Sequence, residues 1–151
     1  MTDGEATTTR TTFRLAIAVA NRIEAPATTI WALLTDQAPW NSTLASIDGQ
    51  VALGERVSFR VHEAPAQTFS PTVVEYDEGR SMVWRLGVPL LKSDRTYRLT
   101  PQADGSTEFS LDEVFQGLLL PVIARTFPDF AAMFERTAAD LKAAAEKQAS
   151  A

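Results

Sequence analysis

Residues 92–121 read KSDRTYRLTPQADGSTEFSLDEVFQGLLLP, two alternating runs around a polar loop, then a glycine and an apolar start to a new element. Side chains on a strand alternate between faces, so Arg95, Tyr97 and Leu99 share one side of the first run, and Phe109, Leu111, Glu113 and Phe115 share one side of the second. If Ala103, Asp104 and Gly105 form a three-residue loop, with Gly105 supplying the left-handed conformation, Gln102 faces Ser106. Leu99 then meets Phe109, Tyr97 meets Leu111 and Arg95 meets Glu113. A two-residue loop would set Leu99 against Ser110 and mix the faces, so the apolar pattern selects the first register. That register places a carboxylate and a guanidinium side by side among aromatic residues. Burying either charge alone costs several kcal/mol, which makes the pair the cheaper arrangement.

Outward from this hairpin the same alternation continues upstream. Short runs near 46–51, 55–62, 67–77 and 80–87 are separated by ALG, HEAPA, DEG and GVPL, all containing Gly or Pro, which is the signature of an antiparallel meander. FRLAIAVANRI (13–23) adds a strand with Phe13, Leu15, Ile17 and Val19 on one face, giving seven strands in all. Between it and the meander, APATTIWALLTD predicts a short helix: Pro26 suits the first turn, and Ile30, Leu33 and Leu34 form a stripe. QAPWNSTL predicts a second short helix or bent turn. After Gly117 the period becomes helical, with Ile123, Phe127, Phe130, Phe134, Ala138, Leu141 and Ala145 on one face. Pro128 within that run removes a backbone donor and either kinks the helix or marks its true start. Residues 1–12 are polar and predict a mobile tail, residues 148–151 a frayed end, and 13–147 a single domain.

The fold class predicted is therefore α+β: a curved seven-stranded antiparallel sheet whose concave face is covered by one long C-terminal helix. A helix held in a curved sheet leaves a hollow between them.

Composition narrows the function classes. The chain has 151 residues, no cysteine and one histidine, so disulfides, thiolate nucleophiles and His/Cys metal clusters are not expected. No cofactor and no metal are expected. A net charge of −5 opposes both a nucleic-acid and an anionic lipid partner. The first residues lack a secretory pattern and no apolar run approaches the roughly 20 residues of a membrane span, so the expected location is the cytoplasm. No glycine-rich phosphate loop occurs.

The stretches IEAPATTIWALLTD followed by PWN, then GERVSFRV, FSPTVVEYDEGRSMVWR and EVFQGLLLPVI with the terminal helix resemble the START-like, or helix-grip, proteins. That superfamily (SRPBCC) includes the pollen allergen Bet v 1 and the polyketide cyclase/dehydrase group. The resemblance spans about residues 13–147. It implies a cavity between sheet and helix that takes up apolar or amphipathic small molecules such as lipids or polyketides, and it fixes no single reaction, because members include cyclases, carriers, receptors and chaperone partners. Two departures stand out: Trp40 and Asn41 lead into Ser42, Thr43 and Leu44, where relatives often have bulkier residues, and Arg95 stands where relatives often carry a histidine.

Alternation nominates the lining of such a cavity. Phe59 and Val61, Phe69 and Val73, Trp84 and Leu86, Arg95 and Tyr97, and Phe109, Leu111 and Glu113 come from the strands; Trp40, Phe127, Phe130 and Phe134 come from the helices. The competing reading is a packed core with no ligand. The Arg95–Glu113 pair is open to three readings: a hydrated pair that serves strand pairing, a group that orients the polar part of a ligand, or acid/base chemistry by Glu113 with Arg95 or Tyr97. His62 alternates with Val61 and is expected to face solvent. The partner expected is a small apolar or amphipathic molecule, the protein being a monomer or homodimer. The leading function is binding without a reaction; the alternatives are a polyketide cyclase or aromatase and a chaperone-associated interaction domain.

Overall fold

The computed structural model describes residues 2–151. Eight strands run in the order β1 (Thr7–Thr11), β2 (Arg14–Ile23), β3 (Leu44–Asp48), β4 (Ser58–Val61), β5 (Thr72–Asp77), β6 (Ser81–Val88), β7 (Leu91–Pro101) and β8 (Thr107–Gln116). Helix α1 (Ala27–Leu34) follows β2, and α2 (Leu120–Ile123), a 3-10 turn (Ala124–Thr126) and α3 (Phe130–Ala149) close the chain. The fold is α+β, a curved antiparallel sheet gripping a long C-terminal helix.

The β7–β8 hairpin has the predicted register. Arg95 pairs with Glu113, Tyr97 with Leu111 and Leu99 with Phe109. Gln102 N donates to Ser106 O at 2.9 Å, and Gly105 has φ +89°. Asp104 locks the loop by accepting from Ser106 N at 3.0 Å and Ser106 Oγ at 2.6 Å. These bonds, with the Arg22 guanidinium, hold the Asp104 carboxyl down at about 2 from its ordinary 3.8. A lowered folded-state pKa means that the contribution is present above the ordinary value and is lost as pH falls through about 2. The melting-temperature difference between wild type and Asp104→Ala is therefore expected to shrink between about pH 4 and pH 2, measured by thermal scans across that window.

Three expectations need correction. The described residues form eight strands rather than seven: Thr7–Thr11, read as mobile tail, pairs with β2 along its length. Every residue of β1 is exposed, so it has no apolar face for alternation to reveal. Secondly, the strands divide into a six-stranded sheet, β1-β2-β8-β7-β6-β5, and a β3-β4 ribbon joined to it by isolated bridges Arg56–Thr72 and Phe59–Phe69. The run predicted at 67–77 starts only at Thr72, because Pro71 offers no N–H to a ladder. Thirdly, the second short helix is a single turn in which Trp40 N and Asn41 N both donate to Gln37 O. Of the two outcomes expected at Pro128, the second holds, and the terminal helix starts just after it. Phe127 is extended, and Asp129 caps α3 by accepting from Ala132 N, so Pro128 marks its start.

Helix α3 buries Phe130, Met133, Phe134, Thr137, Ala138, Leu141 and Ala145 against the concave face. At 1.5 Å per residue its 20 residues span about 30 Å. Polar ties fix its position: Asn21 Nδ2 donates to Ala138 O at 3.0 Å, Lys142 Nζ to Arg22 O at 2.6 Å, and Ser42 Oγ to Asp140 at 2.6 Å. The core runs beneath it through Ile17, Val19 and Ile23 of β2, Phe109 and Leu111 of β8, and Ile30 and Leu34 of α1.

Candidate functional site

α3 reaches only part of the way along the sheet, and at its N-terminal end the hollow stays open. A cavity of about 350 Å³ lies there, between β4, the β6–β7 end of the sheet and the segment from Ile123 to Met133. Its walls are mostly aromatic. Phe59 stacks on Phe69 at 5.4 Å between ring centres, Phe115 lies 4.6 Å from Phe127 and 5.2 Å from Phe130, and Trp84 stands 6.4 Å from Phe59. Phe59, Trp84 and Phe115 come from strands that face inward by parity, Phe69 from an isolated bridge before β5, Phe127 from the extended stretch before α3 and Phe130 from the first turn of α3.

One buried ion pair stands in this lining. Arg95 Nε donates to Glu113 Oε1 at 2.6 Å, with side chains only 17% and 7% exposed. The Arg95 guanidinium also lies 5.4 Å from the centre of the Phe59 ring and 5.1 Å from that of Phe134, within cation–π range. Burial pulls the arginine pKa down, but the Glu113 charge, with the Tyr97 phenol adding to it, outweighs that and holds it above its ordinary value. Arg95 is a permanent cation. Glu113 lines this cavity, and Arg95 lines both it and a smaller chamber behind it. The pair therefore presents both a donor and an acceptor to whatever occupies the hollow.

Of the nominated lining, Phe59, Val61, Phe69, Trp84, Leu86, Arg95, Glu113, Phe127 and Phe130 lie on the cavity wall. Tyr97, Leu111 and Phe134 line a smaller chamber of about 20 Å³ behind Arg95, shared with Gln37, Asn41, Thr43 and Thr137, with room for about one water molecule. Trp40, Val73 and Phe109 touch neither space. Phe109 and Val73 are fully buried core, and Trp40 spends its Nε1 donating to Leu33 O at 2.8 Å. Parity gives a side chain's face, and how far along the sheet the hollow extends depends on where α3 begins. His62 is exposed, as expected.

Several lining residues were missed. Ser93, 5% exposed, shares the parity of Arg95 and was legible from the same alternation. Met133 follows Phe130 by one helical turn and was legible from the helix period. Leu91 shares that strand parity, and Ile123, in α2, lies on the apolar stripe already read from the sequence, whereas Gln67, Pro71, Gly87, Val88, Lys92, Thr126 and Pro128 come from a loop, the β6–β7 tip and the turn before α3, where no period carries the signal.

Comparison with known proteins agrees with this fold. Among curated proteins no sequence relative matches the chain. Solved structures do. A protein of unknown function from Enterococcus faecalis is 17% identical with TM-score 0.66, the match covering 97% of this chain and 80% of that one. A norcoclaurine synthase point mutant from Thalictrum flavum, in complex with a transition-state analogue, is 8% identical with TM-score 0.67, covering 93% and 99%. The di-domain aromatase/cyclase StfQ of the steffimycin biosynthetic pathway is 14% identical with TM-score 0.71, covering 92% of this chain and 53% of that one. At such identities the structural likeness shows the fold. The sequence itself matches a family model over residues 7–146, nearly its whole length. On that match, the chain belongs to the polyketide cyclase / dehydrase and lipid transport family.

Proposed function

We propose that the protein binds an apolar or aromatic small molecule in the cavity beside α3, with a polar group of that molecule held by Arg95 and Glu113. The observation that carries this reading is the combination of a 350 Å³ hollow walled by aromatic rings with one buried ion pair on its wall. A packed core would fill such a space, since each void forfeits contact energy and protein interiors are close-packed. An ion pair facing an apolar space gains from a ligand that completes its hydrogen bonds. The ligand class is then a molecule with an extended apolar body and at least one carbonyl, hydroxyl or carboxylate.

Native mass spectrometry of the protein as purified, together with titration of an apolar fluorophore, tests the reading. Ser93→Phe directs a ring from the cavity wall into the hollow and is expected to weaken fluorophore binding by about tenfold or more, with little change in fold as read by circular dichroism. Equal binding by wild type and Ser93→Phe would count against the site.

A second reading is chemistry on the bound molecule, favoured by one feature: Glu113 lines the cavity while Arg95 fixes its Oε1, which gives a carboxylate set in one orientation. In that reading the hollow folds a reactive chain and Glu113 moves a proton, most of the rate coming from proximity. Glu113→Gln keeps the shape and removes the base. With polyketide-like chains as substrates, an unchanged product profile in that variant leaves binding as the function.

A further inference from the structure

Three turns meet at the end of the sheet where the cavity opens. Gly117 N donates to Phe13 O at 3.1 Å and Leu119 N to Leu90 O at 3.1 Å, tying the β1–β2 turn, the β6–β7 tip and the start of α2 together. On this knot stand Phe13 (49% exposed), Val88 (60%), Leu90 (48%), Leu118 (64%), Leu119 (36%) and Val122 (65%). Leu53, in the β3–β4 connection, is the one other large hydrophobic residue so exposed among the described residues. Scattered apolar residues on a surface need no explanation, but almost the full set at one pole does.

The charges there are of one sign. The segments from Leu86 to Ser93, from Thr12 to Ala16 and from Val114 to Pro128 carry Lys92, Arg14 and Arg125 and no carboxylate, in a chain of net charge −5. All three cations are exposed, and none is in an ion pair among the described residues. Arg14 and Lys92 flank Gln116 in adjacent strands. Carboxylates gather at the opposite pole, where Asp3 accepts from Arg22 N, Glu146 from Glu24 N, and Asp104 caps the β7–β8 loop. The overall negative charge therefore gives no guide to this end, which is apolar at its tips and cationic around them.

We propose that this pole docks on an anionic lipid surface, seating the mouth of the cavity at the membrane interface. The apolar tips project from three separate turns around an opening, a shape suited to a deformable surface in which they enter the acyl boundary. The three long cations stand beside them at headgroup level. The anionic headgroups supply the complementary charge. Docking goes beyond ligand binding and does not depend on it.

The test is flotation of the full chain with vesicles of phosphatidylcholine containing about 30% phosphatidylserine, against vesicles of phosphatidylcholine alone. Binding to the anionic vesicles is expected, with the double variant Leu118→Glu/Val122→Glu losing it by about tenfold or more and Lys92→Gln/Arg125→Gln weakening it by about fivefold per cation. Ser93→Phe is expected to float as wild type does, which separates this result from the fate of the ligand reading. Absence of binding, binding equal on neutral vesicles, or binding unchanged in Leu118→Glu/Val122→Glu overturns the proposal. A concentration-dependent dimer abolished by that same variant, without vesicle binding, overturns it in favour of self-association.

Discussion

Arg95→Met is expected to destabilise the fold by about 3–5 kcal/mol, because it leaves the Glu113 charge buried with no cation. Both side chains are well under one-third exposed, so solvent does little to screen the loss. Glu113 is also flanked by Leu111 and Phe115 on its own strand and paired across β2 with Ile17, with no second cation in reach among its hydrogen-bond partners. The double variant Arg95→Met/Glu113→Leu removes both charges and is expected to recover most of that stability, since replacing a buried pair by apolar residues is often neutral or better. Urea unfolding of the three proteins measures the cycle. If Arg95→Met costs less than about 1 kcal/mol, the pair behaves as a surface bridge and its role is strand pairing alone. If the double variant is as stable as wild type but no longer retains an apolar fluorophore, the pair is kept for the ligand.

The second large effect is at Gly117. Its φ of +149° lies where L side chains rarely sit, and a Cβ there would stand 2.1 Å from Leu90 O, a backbone atom that cannot swing away. Gly117→Ala therefore forces the β6–β7 tip and the start of α2 apart, at an expected cost of about 2–4 kcal/mol from strain and overpacking together. Because that junction frames the cavity mouth, the variant is also expected to exchange backbone amides faster at Leu119 and Gly117 than in β7 or β8, measured by hydrogen exchange. Uniform exchange across the sheet with no stability change would falsify the claim that this contact is rigid.

The sequence makes the hairpin legible because two independent constraints coincide there: alternation of apolar residues on both strands and a loop whose glycine fixes its length. Each alone leaves two registers; together they leave one. The Arg95–Glu113 contact follows as a consequence. β1 escaped for the opposite reason. Five exposed residues rich in Thr form a strand through backbone pairing with β2 alone, and backbone pairing leaves no trace in hydropathy. The long helix was read as one element from its apolar period, yet Ile123 and Phe127 fall on the same stripe while lying outside α3. Periodicity continues across a break when both sides face the same hollow. The cavity mouth was the least legible part, since Val88, Leu90, Leu118 and Val122 are distant in sequence and are brought together by two backbone hydrogen bonds.

The position of β1 has a bearing on how the chain behaves when it is cut or crowded. β1 covers the outer edge of β2, whose sequence LAIAVA is apolar, β-prone and free of charge. With β1 in place, the sheet ends on Thr and Arg side chains that offer little to a neighbouring molecule. Without it, a row of unpaired backbone groups on an apolar strand would become a template for fibrillar growth. Thr7–Thr11 thus exchange an apolar sheet edge for a polar one, through pairing and no hydrophobic contact at all.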